Sequence, residues 1–142
     1  LAISLPEPFH LSGPYSINNF IIFIVALVLG LFLVTALNLF MHILTMFTLD
    51  EKGSMTTYSV IADIFMGGTV PIPFFPTWLK HIAEFLPFRF IGDFPFRIYS
   101  NSIPLEEGYI LIIGSIIWII ITISLGYLIS RVSLRKAVIQ GG

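Results

Sequence analysis

The sequence predicts an all-α, polytopic membrane protein with three transmembrane helices and with re-entrant or interfacial helices between the second and the third. Of its 142 residues, 56% are apolar and 11% are charged, and the mean hydropathy is +0.97. Soluble globular domains have roughly 45–50% apolar and about 25% charged residues. Residues 20–49 and 109–130 contain no Asp, Glu, Lys or Arg, and a membrane helix needs about 20 such residues. A soluble fold is therefore disfavoured.

The charge and cysteine counts exclude several classes of function. Seven Lys and Arg against eight Asp and Glu give a net charge of −1, so no basic surface for nucleic acid is expected. The chain has no cysteine, which removes disulfides, thiolate nucleophiles and Cys-ligated metal sites. No phosphate-binding or His-Glu-x-x-His motif occurs, and His10, His42 and His81 lie in separate elements. We expect no metal, no cofactor and no catalytic residue.

The first predicted span covers residues 20–49. The preceding segment, 1–19, has no Lys or Arg and no short apolar core, so it is not a signal peptide and is expected to be extracellular. The sequence Asp-Glu-Lys-Gly-Ser after the span clusters charge, glycine and serine. Such a cluster is typical of an aqueous connection, and we predict a cytoplasmic loop over 50–55.

The second predicted span is short and covers residues 56–75. Its only charged side chain is Asp63, and glycines and prolines interrupt its second half. Because proline inside a helix removes a backbone donor and clashes with the preceding turn, the regular helix is expected to end near Val70. Irregular backbone at membrane depth has to be covered by protein or lie beside water.

Residues 76–108 are predicted to form an extracellular region of re-entrant or interfacial helices. Helical spacing from Pro76 to Leu86 separates an apolar face, which carries Trp78, from a polar face. Such a helix suits the membrane interface, where Trp78 would be an anchor. Farther on, Arg89, Asp93 and Arg97 recur every four residues, but Pro95 argues against one continuous helix there.

The last predicted span, 109–130, carries no charge and is followed by a basic tail at 131–142. Arg131, Arg135 and Lys136 stand within six residues of the span. Lys and Arg near the end of a span favour the cytoplasmic side. We therefore predict a multi-pass topology with a cytoplasmic C-terminus.

Polar residues recur on one face of the first span. Thr35, Asn38, His42 and Thr45 are separated by three, four and three residues, which places them on one helix face. They are either helix-contact residues that hydrogen-bond across an interface or the lining of a substrate pathway. Both interpretations remain open at this point.

Asp63, Gly67 and Gly68 are the other candidates in the spans. An intramembrane carboxylate costs at least about 2.5 kcal/mol unless it is paired or hydrated. Asp63 is therefore either a cavity-lining or gating residue, or a residue closer to the cytoplasmic surface than the span boundaries imply. Gly67 and Gly68 are either close-packing residues or a hinge before the prolines.

Several segments resemble the permease subunit of type 2 ABC exporters. Residues Met66–Ser100 combine a glycine-bearing span, a Pro-x-Pro-Phe-Phe-Pro break, an amphipathic segment ending in Leu-Pro-Phe and an aromatic return. Residues Leu37–Gly53 and Ser133–Gly142 also look like this group. Such permeases have six spans, and the resemblance implies that this chain matches the last three. It would then be a C-terminal fragment, a truncated reading frame or a split half.

The resemblance also implies partners and a mechanism. ATP would be hydrolysed on a separate ABC ATPase subunit, and two permeases would rearrange around a shared pathway in the plasma membrane of a prokaryote. The partners would be the ATPase, a second permease copy or the missing permease half, and membrane lipid. This chain would supply pathway wall and an outer re-entrant gate, for which the candidates are Pro71, Pro73, Trp78 and Pro87.

Two other functions remain as alternatives. One is a small three-span membrane protein that binds or regulates a membrane partner, such as an immunity or assembly factor. The other is a membrane enzyme, which would require Asp63 or His42 to be essential for turnover. The transported substrate is not predicted by the sequence, because an apolar wall is compatible with many substrates.

Overall fold

The computed structural model describes residues 16–48 and 50–140, with side chains described as far as residue 131. In this part of the chain every regular element is helical, and no strand occurs. Five α-helices follow in order: α1 Ile17–Thr45, α2 Glu51–Met66, α3 Thr77–Phe85, α4 Asp93–Tyr99 and α5 Leu105–Gln140. Two 3₁₀ turns, Ile72–Phe74 and Pro87–Phe90, flank α3.

Helix α1 begins and ends earlier than the predicted span 20–49. Ser16 is its N-cap, with an Oγ that accepts a hydrogen bond from the backbone N–H of Asn19 at 3.2 Å. At the other end, the N–H of Phe47 bonds to the carbonyl of Leu44 at 3.0 Å, an i to i−3 bond that tightens the last turn. Local capping chemistry, rather than the apolar run, therefore sets both ends.

Helix α2 occupies most of the predicted cytoplasmic loop over 50–55. Asp50 caps it by accepting a hydrogen bond from the N–H of Gly53 at 2.9 Å. Glu51 in the first turn adds a favourable interaction with the helix dipole. The helix ends at Met66, before Val70, because Gly67 adopts the left-handed conformation with φ of 81°. The charge cluster read as a loop is thus a helix start.

Two of the described helices are long and apolar enough to cross a membrane. They are Ile17–Thr45 and the part of α5 from Leu105 to Arg131. The 16 residues of α2 extend only about 24 Å, less than a hydrocarbon core of about 30 Å. Helix α5 also continues through the predicted tail to Gln140. The third span stays a prediction.

Helices α1 and α5 pack side by side and run in the same direction. A Cβ on Gly108 would lie 3.5 Å from Cγ2 of Ile22, and a Cβ on Gly126 would lie 3.7 Å from Cδ1 of Ile43. The buried stripe of α5 includes small residues, among them Gly108, Ser115, Thr122 and Gly126. Small residues let helix backbones approach closely, so this stripe explains the pairing.

The chain between α1 and α5 runs back along α1 in two helical segments, α2 and α4. Helix α2 starts at the C-terminal end of α1, where Nδ1 of His42 lies 3.6 Å from Oε1 of Glu51. It ends at Met66, whose carbonyl oxygen would lie 2.6 Å from a Cβ on Gly92. The preceding residue, Ile91, lies against Gly30 in the middle of α1, with its Cα 3.4 Å from a Cβ on that glycine. Helix α4 continues to the start of α1, where Nδ2 of Asn19 donates to the carbonyl of Ile98 at 3.4 Å.

The packed core lies where α4 and the turn Pro87–Phe90 fill the space between α1, α2 and α5. Phe94 and Ile98 are fully buried. The ring of Phe88 lies between α2 side chains, with centroids 6.1 Å from Tyr58 and 6.4 Å from Phe65. Pro95 fits α4 because it stands in the first turn, where no intrahelical donor is lost.

Candidate functional site

A cavity of about 590 Å³ opens beside the C-terminal end of α2. Its walls come from that helix end, the glycine turn after it, two of the prolines and α4. They are Asp63, Met66, Gly67, Gly68, Pro71, Pro73, Ile91, Gly92, Asp93, Phe96, Arg97, Tyr99 and Ser100. Five of the residues singled out in the sequence thus lie at one site: Asp63, Gly67, Gly68, Pro71 and Pro73.

Asp63 organises the turn that closes α2. Its Oδ2 accepts a hydrogen bond from Oγ1 of Thr69 at 2.6 Å, and its backbone carbonyl accepts one from the N–H of Gly68 at 3.0 Å. Its Oδ1 also occupies the space that a Cβ on Gly68 would need. The carboxylate therefore holds Gly68 and Thr69 in place while remaining exposed at the cavity.

The opposite wall carries an ion pair on α4. Nη1 of Arg97 lies 3.5 Å from Oδ2 of Asp93, and the Asp93 side chain is only 5% exposed. The cavity therefore has two polar elements, the Asp63 turn and the Arg97 pair, separated by apolar wall.

Arg89 lies behind this wall and is buried. Its Nη1 donates to the carbonyl of Glu84 at 3.1 Å, and its guanidinium carbon lies 5.7 Å from the ring centroid of Phe90. Among the described side chains, its Nε is a buried polar atom without a hydrogen-bond partner. The four-residue spacing of Arg89, Asp93 and Arg97 was the one sequence signal for this cluster.

The polar face of α1 is not part of the cavity. Thr35, Asn38 and His42 are exposed, and Oγ1 of Thr35 donates to the carbonyl of Leu31 in its own helix at 2.8 Å. Thr45, the last residue of the series, is buried and donates to the carbonyl of His42 at 2.8 Å. Thr35, Asn38 and His42 therefore lie on the surface of the described helices, whereas Thr45 does not.

The predicted gate residues divide into two groups. Pro71 and Pro73 line the cavity, whereas Trp78 and Pro87 do not. Trp78 projects from α3 and is 65% exposed, while Pro87 is buried at the start of the second 3₁₀ turn. Phe96 and Arg97 line the cavity although the sequence did not single them out as site residues.

Comparison with protein families matches residues 14–141 to the profile described as ABC-2 family transporter protein. The chain belongs to this family. No curated protein and no solved structure gives a match. The resemblance to type 2 ABC permeases is thereby confirmed, and the long apolar helices are those of a membrane protein of a transport system. ABC-2 family permeases work with ABC ATPase partners.

Substitution of Gly67, in the turn that closes α2 of this ABC-2 chain, is a first test of the site. We expect Gly67→Ala to lower the free energy of unfolding by about 1–2 kcal/mol, because a Cβ is unfavourable in the left-handed region. Gly67→Asn is the matched control, since asparagine tolerates this conformation better. Thermal unfolding in detergent should rank the variants Gly, then Asn, then Ala. Equal stability of Gly and Ala would contradict the role assigned to this turn.

Proposed function

We propose that the chain is the C-terminal, three-span portion of the permease of an ATP-driven ABC-2 exporter. It would line the translocation pathway and form part of the outer gate, while ATP is hydrolysed on a separate subunit. The observation that carries this proposal is the cavity between the Asp63 turn and α4, in a chain matched to the family over residues 14–141. The proposed location is the plasma membrane of a prokaryote.

The parallel packing of α1 and α5 supports three crossings. Two helices that run in the same direction through a bilayer require the chain between them to return. Helix α2 lies along one half of α1 and α4 along the other half, so the return would be shared between them. The second crossing would then reach beyond the predicted span 56–75 and take in α4, which the sequence placed in the extracellular region 76–108. The segment 67–92 between α2 and α4 would form the re-entrant region, packed against protein as irregular backbone at membrane depth requires.

The tyrosines of α5 support its position in the bilayer. Tyr109 and Tyr127 are both exposed and are separated by about 27 Å at 1.5 Å per residue. Tyrosine is enriched at both membrane interfaces, and the hydrocarbon core between them is about 30 Å thick. Arg131 follows Tyr127 by one turn, which supports a cytoplasmic C-terminal side.

The gate would work through the turn that ends α2. Its conformation depends on one left-handed glycine and on two hydrogen bonds that Asp63 accepts, one from the Thr69 hydroxyl and one from the N–H of Gly68, so the segment is held by few interactions. Displacing it relative to α4 would widen or narrow the cavity without breaking the α1–α5 pair. ATP binding on the partner ATPase would select between the two positions, as differential affinity for two conformations requires.

The exposed polar face of α1 would contact a second permease copy or the remaining permease spans. Asn38 in particular is an exposed amide on an apolar helix. Exposure of a polar side chain to lipid is unfavourable, and hydrogen bonds across helices in membranes are worth about 0.6–2 kcal/mol each. We therefore assign Thr35, Asn38 and His42 to the helix-contact role rather than to the cavity.

Affinity purification tests this proposal. A tagged chain extracted from its native membrane in detergent should recover an ABC ATPase and a further permease portion or copy. A tagged membrane protein of another family, expressed at the same level, is the control for adventitious capture. Recovery of neither partner, with the tagged chain monodisperse alone, would contradict the proposed function and favour a small membrane protein that acts independently.

A further inference from the structure

A second, separate groove lies between α1 and α5 near their C-terminal ends. It has a volume of about 250 Å³, and no charged side chain lines it. Its walls include Leu39, Phe40 and Ile43 from α1 and Ile123, Gly126 and Tyr127 from α5. Leu39 and Ile123 are 62% and 58% exposed, so the groove opens on the exposed surface of the α1–α5 pair. Gly126 provides the depth, because it has no side chain between the two helices.

A positively charged side chain, that of Arg131, lies at one end of this groove. The guanidinium carbon of Arg131 lies 4.7 Å from the ring centroid of Tyr127, which itself lines the groove. Ser130, another lining residue, has a hydroxyl that donates to the carbonyl of Tyr127 at 2.9 Å. Among the described residues no carboxylate pairs with Arg131. An apolar groove thus ends at an exposed, unpaired positive charge held over an aromatic ring.

The position of Tyr127 relates this arrangement to the bilayer. If Tyr127 marks the interface, as proposed above, the groove lies in the hydrocarbon layer of that leaflet. Arg131, about 6 Å farther along the helix, then lies among the lipid headgroups. Basic sites between transmembrane helices on the cytoplasmic side bind anionic lipid headgroups.

We propose that this groove binds one anionic phospholipid, with part of an acyl chain between Leu39 and Ile123 and the phosphate on Arg131. The proposal rests on the position of α5 in the bilayer given under the proposed function. Lipid tails cover any apolar groove in a membrane, so contact with the groove alone gives no selectivity. Arg131 supplies the selectivity, because an anionic lipid has a net negative charge that attracts its guanidinium and a zwitterionic lipid has no net charge.

Native mass spectrometry of the complex purified through the tagged chain tests the proposal. The probes are phosphatidylglycerol and phosphatidylcholine, each added at equal concentration to delipidated complex. The native chain should retain phosphatidylglycerol in preference to phosphatidylcholine. Arg131→Gln should reduce retention of phosphatidylglycerol about fivefold, the factor that one basic residue contributes near an anionic surface. Lys52→Gln, an exposed charge at the same end of the helix bundle, is the matched control and should leave it unchanged.

A second pair of variants tests the groove itself. Ile123→Trp fills the groove and should displace both lipids, whereas Leu125→Trp, at an exposed position outside it, should not. Leu39→Trp blocks the groove from α1 if Ile123→Trp does not fold. Free glycerol 3-phosphate should fail to compete, because it has no acyl chain.

Three results would overturn the lipid site. The first is equal retention of phosphatidylglycerol by Arg131→Gln and Lys52→Gln. The second is retention of lipid by both groove-filling variants, Ile123→Trp and Leu39→Trp. The third is displacement of phosphatidylglycerol by glycerol 3-phosphate at the same concentration. ATPase capture is measured on the same samples. Loss of the lipid preference with ATPase still captured would reject the lipid site alone, whereas absence of the ATPase from the native sample would reject the proposed function.

Discussion

Phe94→Ala is expected to lower the free energy of unfolding by about 3–5 kcal/mol, the range for truncating a buried aromatic side chain. Phe94 is fully buried at the start of α4, in the core cluster that also contains residues of α1, α2 and α5. Removing its ring leaves a cavity whose walls lose their dispersion contacts. Thermal unfolding in detergent, followed by the fluorescence of Trp78 and Trp118, measures the change.

Phe96→Ala is the matched control for this experiment. Phe96 is two residues farther along the same short helix but is 67% exposed at the cavity. Its truncation should change stability by less than about 0.5 kcal/mol, as for surface positions in general. If the two variants were equally stable, α4 would not be packed into the core as described, and the return path of the chain would need revision.

Gly92→Ala is expected to have the next largest effect. A Cβ at this position would lie 2.6 Å from the carbonyl oxygen of Met66. That atom belongs to the backbone at the end of α2, so it cannot rotate aside like a side chain. Overpacking of this kind costs typically about 1–3 kcal/mol. Because Gly92 also lines the cavity, the variant should separate α2 from α4 and alter the site as well as lower the unfolding temperature.

Gly126→Ala distinguishes this effect from a general intolerance of added methyl groups. A Cβ on Gly126 would meet its nearest neighbours, Ile43 and Phe40, at ordinary distances of 3.7 and 3.8 Å. In a helix interior alanine is also favoured over glycine by about 1 kcal/mol. The control should therefore be neutral or more stable than the native chain. A Gly92→Ala variant as stable as Gly126→Ala would contradict the close contact between Gly92 and Met66.

The two long helices were predictable because their signal is a run of apolar residues, which depends on composition alone. The start of α1 was not predictable, since the capping interaction at Ser16 decides it, and the start of α2 depends in the same way on Asp50. The charge cluster at 50–55 has the composition of a loop, yet Asp50 and Glu51 are also suitable residues for a helix N-terminus. Composition alone does not distinguish a loop from a helix N-terminus at this position.

The site was predictable only in part. Asp63, Gly67 and Gly68 lie close together in the sequence, so their turn follows from local chemistry. Their position opposite Arg97 depends on how α4 packs between α1 and α5, which sequence spacing does not specify. The exposure of Asn38 could not be predicted either, because a helix face has the same pattern whether a neighbour covers it or not.

One measurement tests most directly whether the cavity is an outer gate. The chain has no cysteine, so Phe96→Cys at the cavity and Glu106→Cys, exposed in the first turn of α5 outside the cavity, each introduce a single thiol. Right-side-out membrane vesicles loaded with ATP, with or without vanadate to trap the ATPase, are treated with an impermeant maleimide. We predict that Phe96→Cys is labelled from outside at rates that differ several-fold between the two states, while Glu106→Cys is labelled equally in both. Labelling of Phe96→Cys at one rate in both states, or only from the cytoplasmic side, would contradict the account.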